Sequence, residues 1–215
     1  MLKKKKSGSR RARKRLRHRG KLLSERKQST RNTLESFLIV CEGEKTEPLY
    51  FQEFKVPKEV CKVVGVGANT ISLVKKAIQI RDEKEEHSYD QVWCVFDRDS
   101  FPAKNFNGAL SLAKKEGIKV AYSNEAFELW YLLHFDYHDA AISRDLYAEK
   151  LSQKLGFEYV KNNPNMFELL EEIQEDAIEH AQRLLSTYIT HHPYSDNPCT
   201  TVHQLVIELN KNSRK

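Results

Sequence analysis

The chain has 215 residues, 40% of them hydrophobic, and a formal net charge of +6. That is enough for one α/β domain with a real core and a short tail, and no run of about 18 apolar residues is present to span a membrane. The net charge hides a split: residues 1–35 hold fifteen Lys and Arg against Glu25 and Glu35, a net +13, which leaves the remainder at −7.

Residues 1–35 form a low-complexity basic segment with no core-forming pattern, and read as a disordered tail. Lys14, Arg15, Arg17 and Arg19 lie in its densest stretch, RRARKRLRHR. Such an arm grips phosphate backbones by counterion release, without reading sequence; a plain solvated tail is the alternative. It has no long apolar region, so it is not a secretory signal. Cys41, Cys61, Cys94 and Cys199 are widely spaced with no C-x-x-C pair. Neither zinc nor a disulfide framework is implied, and a reducing, cytoplasmic setting is expected.

Residues 36–41 (SFLIVC) are a short continuous apolar run, the pattern of a central parallel strand. A polar loop follows at 42–48 (EGEKTEP), where Thr46 can cap a helix that turns Leu49, Tyr50 and Phe54 inward. Residues 60–66 (VCKVVGV) predict a second strand. Residues 72–84 predict a helix with Ile71, Val74, Ile78 and Ile80 on its buried side. Residues 91–96 (QVWCVF) predict a third strand, followed directly by Asp97-Arg98-Asp99. A helix over 104–116 ends at Gly117, and 118–122 is the fourth strand. Strands alternating with helices imply parallel pairing through right-handed crossovers. Beyond residue 123 the segments 127–135, 143–155, 166–174, 177–188 and 200–211 look helical. The expectation is an α/β fold in three parts: the basic tail 1–35, a four-stranded parallel core 36–123 flanked by helices, and an α-helical extension 124–215 packed on that core.

In an open parallel sheet, ligands sit beyond the carboxyl ends of the strands. The first predicted strand ends in Glu42-Gly43 and the third in Asp97-Arg98-Asp99, so both acidic groups project at one edge. Alternate residues of an extended segment point the same way, which lets Asp97 and Asp99 share one ion. Converging carboxylates repel, and a hard divalent cation such as Mg²⁺ or Mn²⁺ relieves that repulsion because it takes oxygen ligands. Such a metal can activate water and stabilise charge on a phosphoryl oxygen. A D-x-D after a strand can also simply cap the next helix. No P-loop and no Ser-His-Asp or Cys-His set is visible.

At Glu42, Asp97 and Asp99 the sequence resembles the Toprim superfamily, whose motifs are a Glu after the first strand and a D-x-D after the third of a four-stranded parallel sheet. Over most of its length it is similar to the RloB-like family, through FLIVCEGEKTEPLYF, VVGVGANT, VWCVFDRDSFP, KVAYSNEAFELWYLLHF and NPCTTVHQL. By gene context those proteins resemble bacterial anti-phage genes, one tied to restriction operons and another to abortive infection (AbiL). The resemblance implies a metal-dependent nuclease acting on RNA or DNA, with Glu42 a ligand or the general base. The alternative is a nucleic-acid- or ribonucleoprotein-binding module with a non-hydrolytic Toprim fold. A partner protein of a defence operon and a homo-oligomer are further expectations.

Four other positions are candidates. Lys45 is a phosphate contact or a surface lysine. Glu128, in the apolar FELW segment, should be paired or metal-bound and is the best additional ligand. Thr200 and Thr201 open a helix whose N-terminus can meet a phosphate or RNA, or merely cap it. His134 and His138, four apart, are read as structural, and Trp93 and Trp130 as core.

Overall fold

The computed structural model describes residues 34–83, 89–98 and 102–213. These residues carry strands β1 (Phe37–Cys41), β2 (Cys61–Gly65), β3 (Gln91–Arg98), β4 (Lys119–Asn124) and β5 (Cys199–Thr200). They make one sheet in the order β2-β1-β3-β4-β5. The first four are parallel, and β5 pairs antiparallel with β4 through Ser123↔Thr200 and Asn124↔Cys199. The expected four-stranded sheet thus gains a fifth strand. Two residues are too few to leave a period-2 pattern, so the sequence reads straight through β5 into the following helix.

The helices are α1 (Thr46–Gln52), α2 (Thr70–Asp82), α3 (Ala103–Lys115), α4 (Glu128–Leu132), α5 (Arg144–Leu155), α6 (Met166–Leu170), α7 (Gln174–Ser186) and α8 (Val202–Asn212), with one 3-10 turn at Glu171–Ile173. Asn69 caps α2 by accepting from the Ser72 N–H at 3.1 Å. Gly117, at φ +68°, takes the left-handed position that follows α3.

All five residues of β1 are buried, because this strand lies inside a sheet covered on both faces. Side chains alternate between the faces. Phe37, Ile39 and Cys41 join Trp93, Val95 and Ala121 in one core, while Leu38 and Val40 join Cys94, Phe96 and Tyr122 in the other. The second core is closed by Leu73, Val74 and Ala77 of α2 and Phe106, Ala109 and Ala113 of α3. Ile71, Ile78 and Ile80, expected on the buried side of α2, are partly buried against it.

The first core is larger. Its members come from α1 and from all the helices after β4. Tyr50 sits at its centre, with ring centroids of Phe51, Phe54, Phe127, Tyr131 and Phe167 between 5.4 and 5.8 Å away. Edge-to-face pairs of this kind add about 0.5–1.5 kcal/mol each beyond area burial. The segment after residue 124 therefore shares its core with β1, β3 and α1. Trp93 and Trp130 are both buried in it.

The expected helix over 127–135 is shorter, Glu128–Leu132. His134 N–H and Phe135 N–H bond back three residues, to Tyr131 and Leu132, and this tighter winding ends α4. His134 is buried, with Nδ1 2.8 Å from the Trp130 carbonyl, and burial pushes its pKa down to about 4. Among the described residues no helix is long and apolar enough to cross a membrane.

Candidate functional site

The chain leaves β1, crosses to β2 on one side, and returns to β3 on the other side of β1. The carboxyl ends of β1 and β3 therefore flank the point where strand order reverses, the position at which open α/β sheets bind ligands. Cys41 pairs with Val95, and Glu42 continues the ladder by donating its N–H to the Val95 carbonyl at 2.8 Å. Asp97 N–H in turn donates to Glu42 Oε2 at 3.2 Å. Sequence-distant Glu42 and Asp97 are thus locked side by side by sheet register.

A cleft of about 420 Å³ opens here, lined by residues 42–47, Asp97, Phe127, Glu128, Arg144, Lys161 and Asn162. Its carboxylates come from four separate places: Glu42 after β1, Glu47 in the first turn of α1, Asp97 in β3 and Glu128 at the start of α4. Glu128 is only 7% exposed and accepts from Tyr159 Oη at 3.1 Å. Glu47 is 6% exposed, and the nearby backbone N–H groups of Glu47 and Gly43 favour its charged form. Thr46 Oγ1 ties this first turn to Asn162 at 2.6 Å.

Burial and neighbouring carboxylates dominate the electrostatics of the cleft. Asp97 has its pKa raised well above the ordinary carboxylate range, first by burial and then by the charges of Glu47 and Glu128, with Arg144 opposing and Glu42 adding. Burial also raises Glu47, and Glu128 adds to it, against the two backbone N–H groups and Lys161. Arg144 Nη2 stands 3.5 Å from Asp97 Oδ2, and Lys161 Nζ 4.0 Å from Glu128 Oε1. Among the described residues, no three His, Cys, Asp or Glu side chains are drawn together into a closed metal-binding group. Yet the donor set suits a hard cation. The lining has five carboxylates, Glu44 included, against Lys45, Arg144 and Lys161. Every acidic donor among these described residues is an oxygen, the ligand type that a hard cation takes.

The loop from Glu42 to Lys45 is seated by glycines of the next strand-turn. A β-carbon on Gly65 would lie 2.6 Å from the Gly43 carbonyl oxygen and 2.8 Å from Glu44 Cα. One on Gly67, at φ +57°, would lie 2.7 Å from Glu44 Oε1. The close backbone approach accounts for Gly65 in VVGVGANT, and the left-handed φ for Gly67.

A family model described as "RloB-like protein" matches residues 37–209, well over half of the chain. The chain belongs to the RloB-like family. No curated protein and no solved structure matches it. The family match runs from β1 into α8 and so includes every cleft residue named above, while the basic segment stands outside it.

Within this RloB-like fold the sequence-derived candidates divide clearly. Glu42, Asp97, Glu128 and Lys45 come together at the cleft, Lys45 at its exposed rim. Asp99, Lys14, Arg15, Arg17 and Arg19 lie outside the described residues. Thr200 and Thr201, candidates for an anion contact or a cap at a helix start, are both buried. Thr200 Oγ1 donates to the Tyr122 carbonyl at 3.1 Å, and Thr201 Oγ1 accepts from Tyr122 N–H at 2.9 Å. Their hydroxyls stitch β5 and α8 to β4, so they are not presented to solvent. Arg98 donates from Nε to the Tyr194 carbonyl at 2.9 Å and stacks over that ring. Nothing in the sequence singles out Arg144 and Lys161, and Glu47 shows there only as an acid in the first turn of α1.

Proposed function

We propose that this RloB-like chain is a divalent-cation-dependent phosphodiesterase of the Toprim type, cleaving RNA or DNA in bacterial anti-phage defence. The observation that carries the reading is the pairing of Glu42 with Asp97 at the switch point, inside a cleft that gathers carboxylate oxygens from several elements. The defence role rests on the family resemblance alone.

Glu42 and Asp97, with Asp99 following in the D-x-D, would hold Mg²⁺ or Mn²⁺, and Glu128 adds a further oxygen donor. A bound divalent ion supplies Lewis-acid polarisation of a phosphoryl oxygen and a water of lowered pKa. The chain's own part is to position and to move protons. Asp97 is desolvated and so holds its charge only when compensated. Glu42, fixed by the Asp97 N–H, is a ligand or accepts the proton of the attacking water. Lys45 at the rim faces the charge that builds on the phosphate.

Cleavage of a panel of tRNA, single-stranded RNA and DNA with Mg²⁺, Mn²⁺ or EDTA tests this directly. Asp97→Ala and Glu42→Gln should each lower turnover by about 10²–10⁴-fold, the range for removing a reacting group's acid–base partner, with circular dichroism unchanged. Full activity in both variants would sink the site. The ion pair between Arg144 and Asp97 favours a second reading, a binding module that neutralises the carboxylate with its own cation. Tight nucleic-acid binding with no metal-dependent turnover is the result that selects it.

The glycine seat gives a subtler test. Gly65→Ala should push Gly43 and Glu44 off β2 and shift Glu42. The overpacking cost is about 1–3 kcal/mol. The catalytic loss is larger, about 10²-fold, because displacement near 1 Å at a reacting group costs that much. Urea midpoints and turnover measured on the same preparation separate the two effects.

A further inference from the structure

We infer that Arg144 and Lys161 are the anion-binding side of the cleft, and that Arg144 exchanges between Asp97 and a substrate phosphodiester. This rests on the metal-dependent reading above. Both residues come from outside the strand ends that supply Glu42 and Asp97. Arg144 is the first residue of α5, and Lys161 lies in the turn before α6. Neither is held firmly. Arg144 is 44% exposed and its 3.5 Å approach to Asp97 is long beside the roughly 2.7–2.9 Å of a strong charge-assisted hydrogen bond. Lys161 is 61% exposed and stands 4.0 Å from Glu128.

A guanidinium so placed has two uses. Without a divalent ion it is the cation that, among the described residues, pairs with Asp97. Once an ion compensates Asp97, that pairing is redundant, and the planar donor fork is free for the oxygens of a phosphodiester, which Arg matches bidentately. Lys161 acts beside it as a point charge, on a loop that the Thr46–Asn162 bond fastens to α1. The cleft is then layered, with carboxylates on the floor, cations on the rim, and the phosphate bridged between them. A role confined to stability predicts no such exchange, because a pair this exposed contributes little to folding.

The consequence is two changes of opposite sign in one variant. Arg144→Ala removes a competitor for Asp97, so Mn²⁺ should bind several-fold more tightly in calorimetry without nucleic acid. It also removes a phosphate contact. With Ca²⁺ present, a dinucleotide carrying a single phosphodiester should bind about ten- to a hundredfold more weakly, the range for a hydrogen bond to a charged group. The full chain is used, in high salt that screens the basic tail. Arg144→Lys should recover part of the dinucleotide affinity, and Lys161→Ala should weaken the dinucleotide too. Wild-type uptake of Mn²⁺ with no tightening in Arg144→Ala, or with dinucleotide affinity unchanged, overturns this inference alone. Absence of Mn²⁺ uptake by the wild-type chain overturns the metal-dependent reading and this inference with it.

Discussion

Asp97→Asn is expected to make the metal-free protein more stable at neutral pH while removing its response to divalent cations. The sign follows from the raised pKa of Asp97, caused first by burial and then by Glu47 and Glu128. In the unfolded chain this carboxyl titrates at its ordinary value. In the folded chain it holds its proton to higher pH. The native state is therefore favoured while the group is protonated, and that advantage is lost as pH rises through the folded pKa. Above the ordinary carboxylate range the folded protein must either hold that proton or carry a desolvated carboxylate, and the amide removes this cost without changing shape. Each kcal/mol relieved should appear as about 2–4 °C in Tm for a chain of this size. Glu47→Gln should move in the same direction, because burial raises that group as well. A saturating divalent ion should reverse the ranking. Binding to the native state alone stabilises by about 2.7 kcal/mol at a hundred times Kd, so Mn²⁺ should raise the wild-type Tm and leave Asp97→Asn unmoved. Thermal melts with Mn²⁺ and with EDTA, at pH values on both sides of the transition, provide the check. A variant that is less stable than wild type in EDTA, or that still responds fully to Mn²⁺, contradicts the account of Asp97.

How far this site was legible follows from where its residues sit. β1 to β4 announce themselves as apolar runs, and Glu42 and Asp97 are the first carboxylates after two of them. Strand order then needs only the rule that ligands gather at the reversal. Glu128 was legible for another reason, since a carboxylate amid Phe127, Leu129 and Trp130 must find a partner; the structure supplies Tyr159. Glu47 looked like an ordinary acid in a helix first turn. It is buried by α4 and by the segment around Tyr159 and Asn162, which pack over it from far along the chain, and no local pattern encodes that. Thr200 and Thr201 divide the two expectations: Thr200 Oγ1 accepts from the Val202 N–H at 3.3 Å, as a cap of α8 does, while both residues are buried against β4 and not open to a phosphate. Arg144 and Lys161 are exposed cations among many, and only the fold singles them out.

Removing residues 1–33 should cost most of the affinity for polynucleotides while sparing the chemistry on a short substrate. This segment holds fifteen of the 36 Lys and Arg, against Glu25. What remains has an excess of acid and a cleft lined with carboxylates, so a polyanion approaching it is repelled until something offsets the field. If the segment neutralises about 6–10 phosphates, affinity for duplex should fall by roughly 10³–10⁵ between 50 and 200 mM salt. The truncated chain should lose that slope, because no comparable cluster of cations survives. Residues 34–215 form a compact unit of their own, which makes the deletion a clean one. Turnover of a dinucleotide, which carries a single phosphodiester, should remain within a few-fold of the full chain at high salt, where exposed charges are screened beyond about 3–10 Å. The discriminating quantity is the slope of log K against log salt, measured for both chains on the same duplex and the same single strand. Equal slopes would place the phosphate contacts on the folded body and leave the basic segment without a role in binding. A lost slope together with lost dinucleotide turnover would mean that the arm serves the cleft itself.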